Sequence, residues 1–137
     1  MPTHIEWCSI ALRLALTAIA SAAIGSIAGD HNRPVGLRTT MFVAVAAAIS
    51  RIRANLLLPI AGKSAGSLVT LDLMCLPLGI LSGMGFIGAG AIVRRNDLVQ
   101  GVTSAAMLWF VTVMGLCFGA GQLGLGLSAM TLALFVL

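Results

Sequence analysis

Residues 99–120 read VQGVTSAAMLWFVTVMGLCFGA, a mostly apolar stretch that contains no charged side chain. At about 1.5 Å of rise per residue, a helix of this length crosses the roughly 30 Å hydrocarbon core of a bilayer. The stretch therefore predicts a membrane-spanning helix. Apolar stretches on both sides of it predict further spans, the last of them short for a crossing. The predicted spans cover residues 7–28, 37–58, 68–93, 99–120 and 123–137.

The composition of the whole chain is typical of a membrane protein. Of its 137 residues 59% are hydrophobic and 9% are charged, whereas soluble domains carry about 25% charged residues. The net charge of +4 rests on eight basic residues, too few for the continuous basic surface that nucleic-acid binding needs. We predict a single all-α domain over residues 1–137, a polytopic transmembrane helix bundle of four to five spans without a nucleic-acid partner.

Pairs of glycines four residues apart predict close helix packing in spans one, three and four. Residues at this spacing lie on one face of a helix, and glycines there let two backbones approach. The pattern leaves open whether the packing serves folding of the bundle or dimerisation. The pairs inside the predicted spans are Gly25/Gly29, Gly79/Gly83 and Gly115/Gly119.

The third predicted span contains the glycine-rich stretch GMGFIGAG at residues 83–90. Its first six residues match the dinucleotide motif GxGxxG, but no strand precedes them and no acidic residue follows about twenty positions later, so we exclude nucleotide binding. Its four glycines leave the span without side chains at these positions over nearly two turns, which lets another helix or an interrupted backbone pack against the span. Pro77 in the body of the span predicts a kink. The helix-packing glycines are Gly83, Gly85, Gly88 and Gly90.

Charged residues near or inside the spans predict an intramembrane polar cluster. Burying one such charge in lipid costs at least about 2.5–3.5 kcal/mol, so it is usually tolerated for a reason. With alternating spans, the charges fall in the same half of the bilayer. Acidic side chains would neutralise some of the arginines and leave a cavity for an ion or a lipid headgroup; the alternative is that each long side chain reaches the interface separately. The cluster comprises Glu6, Arg13, Arg51, Arg53 and Asp72.

The loops on the opposite side carry slightly more basic residues, including Arg33, Arg38, Arg94 and Arg95. The positive-inside rule therefore favours a cytoplasmic location for these loops and an N-terminus outside. Such basic loops attract anionic lipid headgroups or the acidic surface of a partner. Alternatively, they only determine topology.

Catalytic and metal-binding patterns are not found in the sequence. Cys8, Cys75 and Cys117 occur singly in apolar stretches and are predicted to be small buried side chains. His4 and His31 are isolated, and no spacing suggests a zinc site or a nucleophile with its base. We therefore predict no cofactor and no enzymatic activity.

Four ordered motifs resemble the MgtC/SapB family of membrane proteins. Residues 33–39, RPVGLRT, resemble its R-P-A-G-L-R-T, and residues 83–90 resemble its G-I-G-F-L-G-A-G. The basic exit AIVRR at residues 91–95 follows, and GVTSAAMLW at residues 101–109 is similar to G-L-T-T-A-A-T-L-W. Several motifs in the right order make the resemblance specific over most of the chain.

The resemblance implies a multi-pass protein of the bacterial inner membrane, with five spans and the N-terminus outside. It corresponds to the membrane domain of the family, to which longer members add a soluble C-terminal domain. Family members are linked to growth under magnesium limitation and to survival inside host cells. Modulation of the membrane ATP synthase has been proposed for one of them, which makes a membrane protein complex a candidate partner beside membrane lipids and a second copy of the chain.

The chain departs from the family pattern at four positions that are usually polar or charged. Asp30 is the only acid where an acidic segment normally follows span one. Cys75 and Gly79 stand where arginine and glutamine are usual, and Gln100 stands where an arginine often precedes the Gly101 motif. Part of the family's polar constellation is therefore absent.

The retained motifs predict a functional cluster near the cytoplasmic ends of spans two, three and four. Guanidinium groups there suit phosphate or carboxylate, and the hydroxyls can bind a ligand or a kinked backbone. The alternative is that the arginines anchor the topology and the hydroxyls only pack. The cluster comprises Arg38, Thr39, Arg94, Arg95, Thr103 and Ser104.

Two functions fit these predictions. The favoured one is a regulatory membrane protein that acts through a membrane partner or an anionic lipid. The alternative is a small ion transporter that uses the polar cluster and the glycine-rich third span, and because five spans enclose little pathway, this alternative requires an oligomer.

Overall fold

A computed structural model of the chain describes residues 7–28, 35–61, 74–95 and 98–137, and in these ranges it is a bundle of five helices with one short hairpin. The predicted all-α membrane bundle is thereby confirmed. Backbone N–H and C=O groups without hydrogen-bond partners are costly in lipid, and a helix pairs them with one another. In chain order the elements are α1 (Trp7–Ala28), α2 (Leu37–Ala61), α3 (Cys75–Ala91), β1 (Val93–Arg95), β2 (Leu98–Gln100), α4 (Val102–Ala120) and α5 (Leu123–Val136).

Three of the helices, α1, α2 and α4, are long and apolar enough to cross a membrane. The other two, α3 and α5, are apolar but have only 17 and 14 residues, fewer than the about 20 that a crossing takes. The outer helix faces remain rich in exposed apolar side chains such as Phe42, Phe86 and Phe135. Such faces are suited to a lipid environment rather than to water.

Helix α4 is the centre of the bundle. Its side chains Val111, Met114 and Phe118 are fully buried, and α1 and α2 contribute Ile24 and Ala44 to the same core. Helices α3 and α5 pack on the remaining sides of α4. The uncharged helix α4 is thus the one that the other helices surround.

The packing partners of α4 show the helix directions. Ala44 lies against Gly115 and Ala48 against Gly119, so α2 runs parallel to α4. The contact of Gly88 with Ala105 is one of several that make α3 antiparallel to α4, and α1 and α5 are antiparallel as well. We call the end of the bundle that carries the β1–β2 hairpin the hairpin end, and the opposite end the Arg13 end.

Glycine packing is confirmed for α1 and α4. A Cβ atom on Gly119 would lie 2.9 Å from the Cα of Ala48, and one on Gly115 would lie 3.1 Å from the carbonyl carbon of Ala44. Gly25 of α1 is similarly close to α2, and Gly29, with which it was paired, lies outside the described residues. Backbone-to-backbone contact of this kind excludes any side chain larger than hydrogen.

The glycines of α3 behave differently from the prediction. Only Gly88 packs against another helix, where a Cβ would lie 3.5 Å from the Cβ of Ala105. A Cβ on Gly83, Gly85 or Gly90 would meet no atom of the described residues within 4 Å. Within the described residues of one copy these three glycines receive no other helix, because α3 packs on α4 with the face that carries Met84 and Gly88.

The boundary between the third and fourth predicted spans also needs correction. Helix α3 ends at Ala91, and residues 93–95 pair with residues 98–100 as antiparallel strands, with Arg94 opposite Val99. Helix α4 then begins at Val102 because Gly101 has a φ of 92°, a conformation that favours glycine. The β-branched residues and the polar turn favour a hairpin over a continued helix.

The predicted kink at Pro77 is wrong as well. Helix α3 begins at Cys75, so Pro77 lies in its first turn, and the first helical bond that follows runs from the Leu78 N–H to the Met74 carbonyl. In the first turn of a helix a backbone N–H has no carbonyl acceptor within the helix. The N–H that proline lacks is therefore not missed at this position. Residues 68–73 of the predicted span lie outside the described residues.

Candidate functional site: a three-helix junction at Gly119

The predicted functional cluster is found at the hairpin end, and its described side chains differ in exposure. Arg38 and Thr39 are exposed in the first turn of α2, and Thr103 is exposed in the first turn of α4. Ser104 is buried, with 3% exposure. The backbones of Arg94 and Arg95 lie in β1, and their side chains lie outside the description.

The predicted intramembrane cluster belongs to the opposite end. Glu6 and Asp72 lie outside the described residues. Arg13 of α1 and Arg51 of α2 both converge on Gly119 of α4, and Arg53 is exposed on α2.

The carbonyl group of Gly119 is the meeting point of three helices. Nη1 of Arg13 donates to this oxygen at 3.4 Å, and Nδ2 of Asn55 donates to it at 3.5 Å. Because these donors come from α1 and α2, the last turn of α4 is tied to both neighbours.

The way in which α4 ends explains why this carbonyl is available. The N–H of Gly121 bonds to Phe118 and the N–H of Gln122 bonds to Cys117, each at 3.0 Å, which is the Schellman arrangement. These bonds satisfy the two preceding carbonyls. The Gly119 carbonyl belongs to the last turn, where a helix carries partial negative charge.

Arg13 is well placed to complement this charge. Its guanidinium lies over Gly121, where a Cβ would come within 3.0 Å of the Cζ atom. Gly121 has a φ of 84°, so glycine is required there by conformation as well as by space. The guanidinium retains further donors for an anionic group, since it has five N–H bonds.

The described part of the Arg13 end carries basic side chains. Arg13, Arg51 and Arg53 lie there, and all four acids of the sequence lie outside the described residues. The arrangement can therefore hold α4 in place and attract phosphate or carboxylate.

Asn55 and Gly119 were not identified as site residues from the sequence. Asn55 follows Arg51 by four residues and so lies on the same face of α2. The four-residue spacing from Arg51 is the sequence signal from which Asn55 could have been identified. No local signal indicates that the Gly119 carbonyl accepts hydrogen bonds from Asn55 and Arg13, because these donors lie 64 and 106 residues away in the sequence.

The predicted burial of the cysteines is wrong for two of them. Cys8 and Cys75 are exposed, and Cys117 is half-buried. Apolar character alone does not distinguish an inward helix face from one that faces lipid. Among the described residues no group of three His, Cys, Asp or Glu side chains could hold a metal ion.

A bundle of apolar helices around a glycine-packed centre, with arginine bound to a helix end, defines an integral membrane protein of the helical type. The chain belongs to the MgtC family, whose sequence profile matches residues 14–137. The predicted resemblance is thereby confirmed.

Individual relatives agree with this assignment. Protein SapB of Bacillus subtilis is 36% identical over 82% of this chain and 48% of its own length. The putative magnesium transporter YhiD of Escherichia coli is 33% identical over 92% of this chain and 58% of its own. Protein MgtC of Salmonella typhimurium is 33% identical over 86% of this chain and 46% of its own. The chain thus spans about half the length of these relatives, and no solved structure matches it.

Proposed function

We propose that the chain is a non-enzymatic regulatory protein of the bacterial inner membrane, with its N-terminus outside, that acts by binding another membrane component. That component is a membrane protein complex, such as an ATP synthase, or an anionic lipid. Adaptation to magnesium limitation and survival inside host cells are the processes that such a protein would serve.

The observation that carries the proposal is the way in which buried hydroxyls are used. Thr17 donates to the Arg13 carbonyl at 2.7 Å, and Thr112 donates to the Leu108 carbonyl at 2.7 Å. Thr40 likewise bonds within its own helix. These three hydroxyls bond within their own helices rather than to one another, so they do not form a continuous polar path between the helices.

The rest of the core is apolar and close-packed. Side chains such as Val111, Met114 and Phe118 fill the space between the two ends of the bundle. Within the part of the chain that the structure describes, no polar path joins the Arg13 end to the hairpin end. This supports a binding role over transport by a single copy.

The name of the E. coli relative, putative magnesium transporter, favours the alternative. We expect proteoliposomes that contain the purified chain to show no more magnesium or proton flux than empty liposomes, because the core offers ions no path. The measurement uses entrapped magnesium- and pH-sensitive dyes. The double variant Arg38→Ala/Asp72→Asn serves as the control for any flux that is seen.

Flux that depends on folded protein and is lost in the double variant would overturn the regulatory proposal. Affinity purification from native membranes is the positive test. A stoichiometric membrane partner, retained after washing and absent from a control membrane protein, supports regulation. Finding neither a partner nor a bound lipid would contradict the proposal.

The orientation has its own test, because Cys8 and Cys75 are exposed and lie in the first turns of α1 and α3, at the Arg13 end of the bundle. We expect a membrane-impermeant maleimide added to spheroplasts to label both thiols. A cysteine introduced at Val99, which is exposed at the hairpin end, should react only after the membrane is opened. The reverse pattern would show that the N-terminus is inside, and Cys117→Ala removes the third thiol from the background.

A further inference from the structure

Charged residues confine the apolar part of α2 to a short stretch. Arg38 lies in the first turn of this helix, and the next charged residues along it are Arg51 and Arg53. At about 1.5 Å of rise per residue, the backbones of Arg38 and Arg51 are about 20 Å apart. The hydrocarbon core of a typical bilayer is about 30 Å thick. The charge-free part of α2 is therefore too short for such a core, and any tilt of the helix shortens it further.

The packing of α2 places Arg38 well inside the hairpin end of the bundle. Ala44 of α2 lies against Gly115 of the parallel helix α4. Because each lies six residues before this contact, Arg38 and Trp109 are level with each other. Helix α4 begins about 10 Å farther out, at Val102. Among the described side chains, the exposed Arg38 thus marks where the charge-free region ends on this side.

Arg13 marks the other limit of this region, which we call the apolar belt. Its guanidinium bonds to the Gly119 carbonyl, so this charge is held at the end of α4. Arg51 and Arg53 lie at the same end of α2, and their Cα–Cβ bonds tilt toward the helix N-terminus, away from the near surface. Only Arg38 points along its own way out. With roughly 5 Å of side-chain reach there, the belt is about 25 Å thick.

The two tryptophans of the chain lie at the same two levels. Trp7 and Trp109 are both exposed, and the sequence contains no tyrosine. Trp109 is level with Arg38, about 15 Å before Gly119 on α4, and Trp7 lies about 9 Å farther out than Arg13 on α1. The two indoles are therefore about 25 Å apart along the bundle. Since tryptophan is enriched at membrane–water interfaces, this distance agrees with the thickness of the belt.

Helix α3 has a matching length. It has 17 residues, none of them charged, and is therefore about 26 Å long. Pro77 lies in its first turn, the part of a helix in which proline is tolerated. The outer face of α3 presents apolar side chains such as Phe86, which is 85% exposed. An outer helix of this length fits a hydrocarbon core of about 25 Å better than one of about 30 Å.

We propose that the chain thins the bilayer around itself and that its outer surface fits phospholipids with short acyl chains. A transmembrane surface that is too short is accommodated by local thinning or by association of copies. The charges favour thinning, because Arg38 and Arg53 are exposed and a second copy packed over them would bury them in an apolar interface. The inference goes beyond the proposed function and does not depend on it.

The test uses the intrinsic fluorescence of Trp7 and Trp109 in the full chain, reconstituted in phosphatidylcholine. Brominated dioleoyl phosphatidylcholine quenches an indole that it touches, and an unbrominated competitor restores the fluorescence according to its affinity for the protein surface. We expect dimyristoleoyl phosphatidylcholine, with shorter chains, to bind about threefold more tightly than unbrominated dioleoyl phosphatidylcholine. Dierucoyl phosphatidylcholine, with longer chains, should bind less tightly. Equal affinities, or a preference for longer chains, would overturn the proposal.

Arg38→Leu removes the charge that limits the apolar belt at the hairpin end. The apolar part of α2 then extends to the start of the helix, so we expect the preference for the dimyristoleoyl lipid to fall below about 1.5-fold. Arg38→Lys is the matched control, because lysine retains both the charge and a long apolar stem. It should keep the threefold preference. An unchanged preference in the Arg38→Leu variant would contradict the limit that we assign to Arg38.

The depth of Trp109 keeps the test decisive if Arg38→Leu does not fold. In the variant Trp7→Phe, Trp109 is the one tryptophan left in the sequence. We expect phosphatidylcholine brominated near the headgroup to quench it at least about twofold more strongly than phosphatidylcholine brominated near the chain end, because the indole lies at the interface. Stronger quenching from the chain end would place Trp109 deep in the hydrocarbon core and would overturn the proposal.

Discussion

Replacing Gly119 by alanine is expected to lower the free energy of unfolding by about 2–3 kcal/mol, the upper range for overpacking. The added methyl would lie 2.5 Å from the carbonyl oxygen and 2.9 Å from the Cα of Ala48, and 3.0 Å from the Cβ of Arg51. Two of these atoms belong to the backbone of α2 and cannot move without moving the helix. The same shift would separate the Gly119 carbonyl from Asn55.

Gly83→Ala is the matched control, because a Cβ at Gly83 meets nothing within 4 Å. The change should be neutral or raise stability by up to about 1 kcal/mol, since alanine is the better helix former. Thermal unfolding of both variants in the same detergent checks the prediction. If the two glycines respond alike, the close contact between α2 and α4 is not a major source of stability.

Arg13→Met is expected to lower the free energy of unfolding by about 2 kcal/mol. The variant loses a hydrogen bond from a charged donor, worth about 1.5–3 kcal/mol, and a cation at a helix C-terminus, worth about 0.3–2 kcal/mol. These contributions overlap at one atom, the Gly119 carbonyl oxygen, so they do not add. Methionine retains most of the apolar stem, which isolates the effect of the guanidinium.

Arg53→Met is the control, since Arg53 is an exposed arginine at the same end. It should change stability by less than about 0.5 kcal/mol. Arg13→Lys should recover part of the loss, because an ammonium retains the charge but not the fork of the guanidinium. Equal thermal midpoints for Arg13→Met and the wild-type protein would show that the contact at Gly119 contributes no stability.

These two residues also bear on how the protein would act on a partner. Arg13 and Gly119 join α1, α2 and α4 into one unit, whereas one face of α3 remains open to the described residues at Gly79, Gly83 and Gly90. The open face lies on an outer helix, so lipid or a partner can cover it without disturbing the core. The packed unit supplies a rigid support for the regulatory role that we propose.

Much of the fold follows from the sequence. The starts of α1 and α2 were predicted at Trp7 and Leu37, and the stretch that ends at Ala120 was predicted as a span. Periodicity contributes little here, because these helices are apolar on all sides. Length and charge distribution were sufficient, since a long apolar segment in lipid must satisfy its backbone as a helix.

The candidate site was predictable only in part. Arg13 and Arg51 stood out because charge is rare in spans, but their expected acidic partners Glu6 and Asp72 lie outside the described residues. The observed acceptor of Arg13 is a backbone carbonyl. Because every residue has one, the sequence does not indicate which carbonyl accepts the bond. The hairpin was missed because Ile92 and Val93 continue the apolar stretch, and hydropathy alone does not separate a strand from the last turn of a helix.

By itself, therefore, the sequence determined that this protein is a helical membrane bundle of the MgtC family and where its long helices lie. These properties depend on the composition of continuous segments and on ordered motifs. Only the tertiary structure decided that Gly115 and Gly119 pack while Gly83 does not, and that Arg13 binds the end of α4. Those outcomes depend on the relative direction and register of helices that are distant in the chain, and the pattern of glycines within a single helix is the same in both cases.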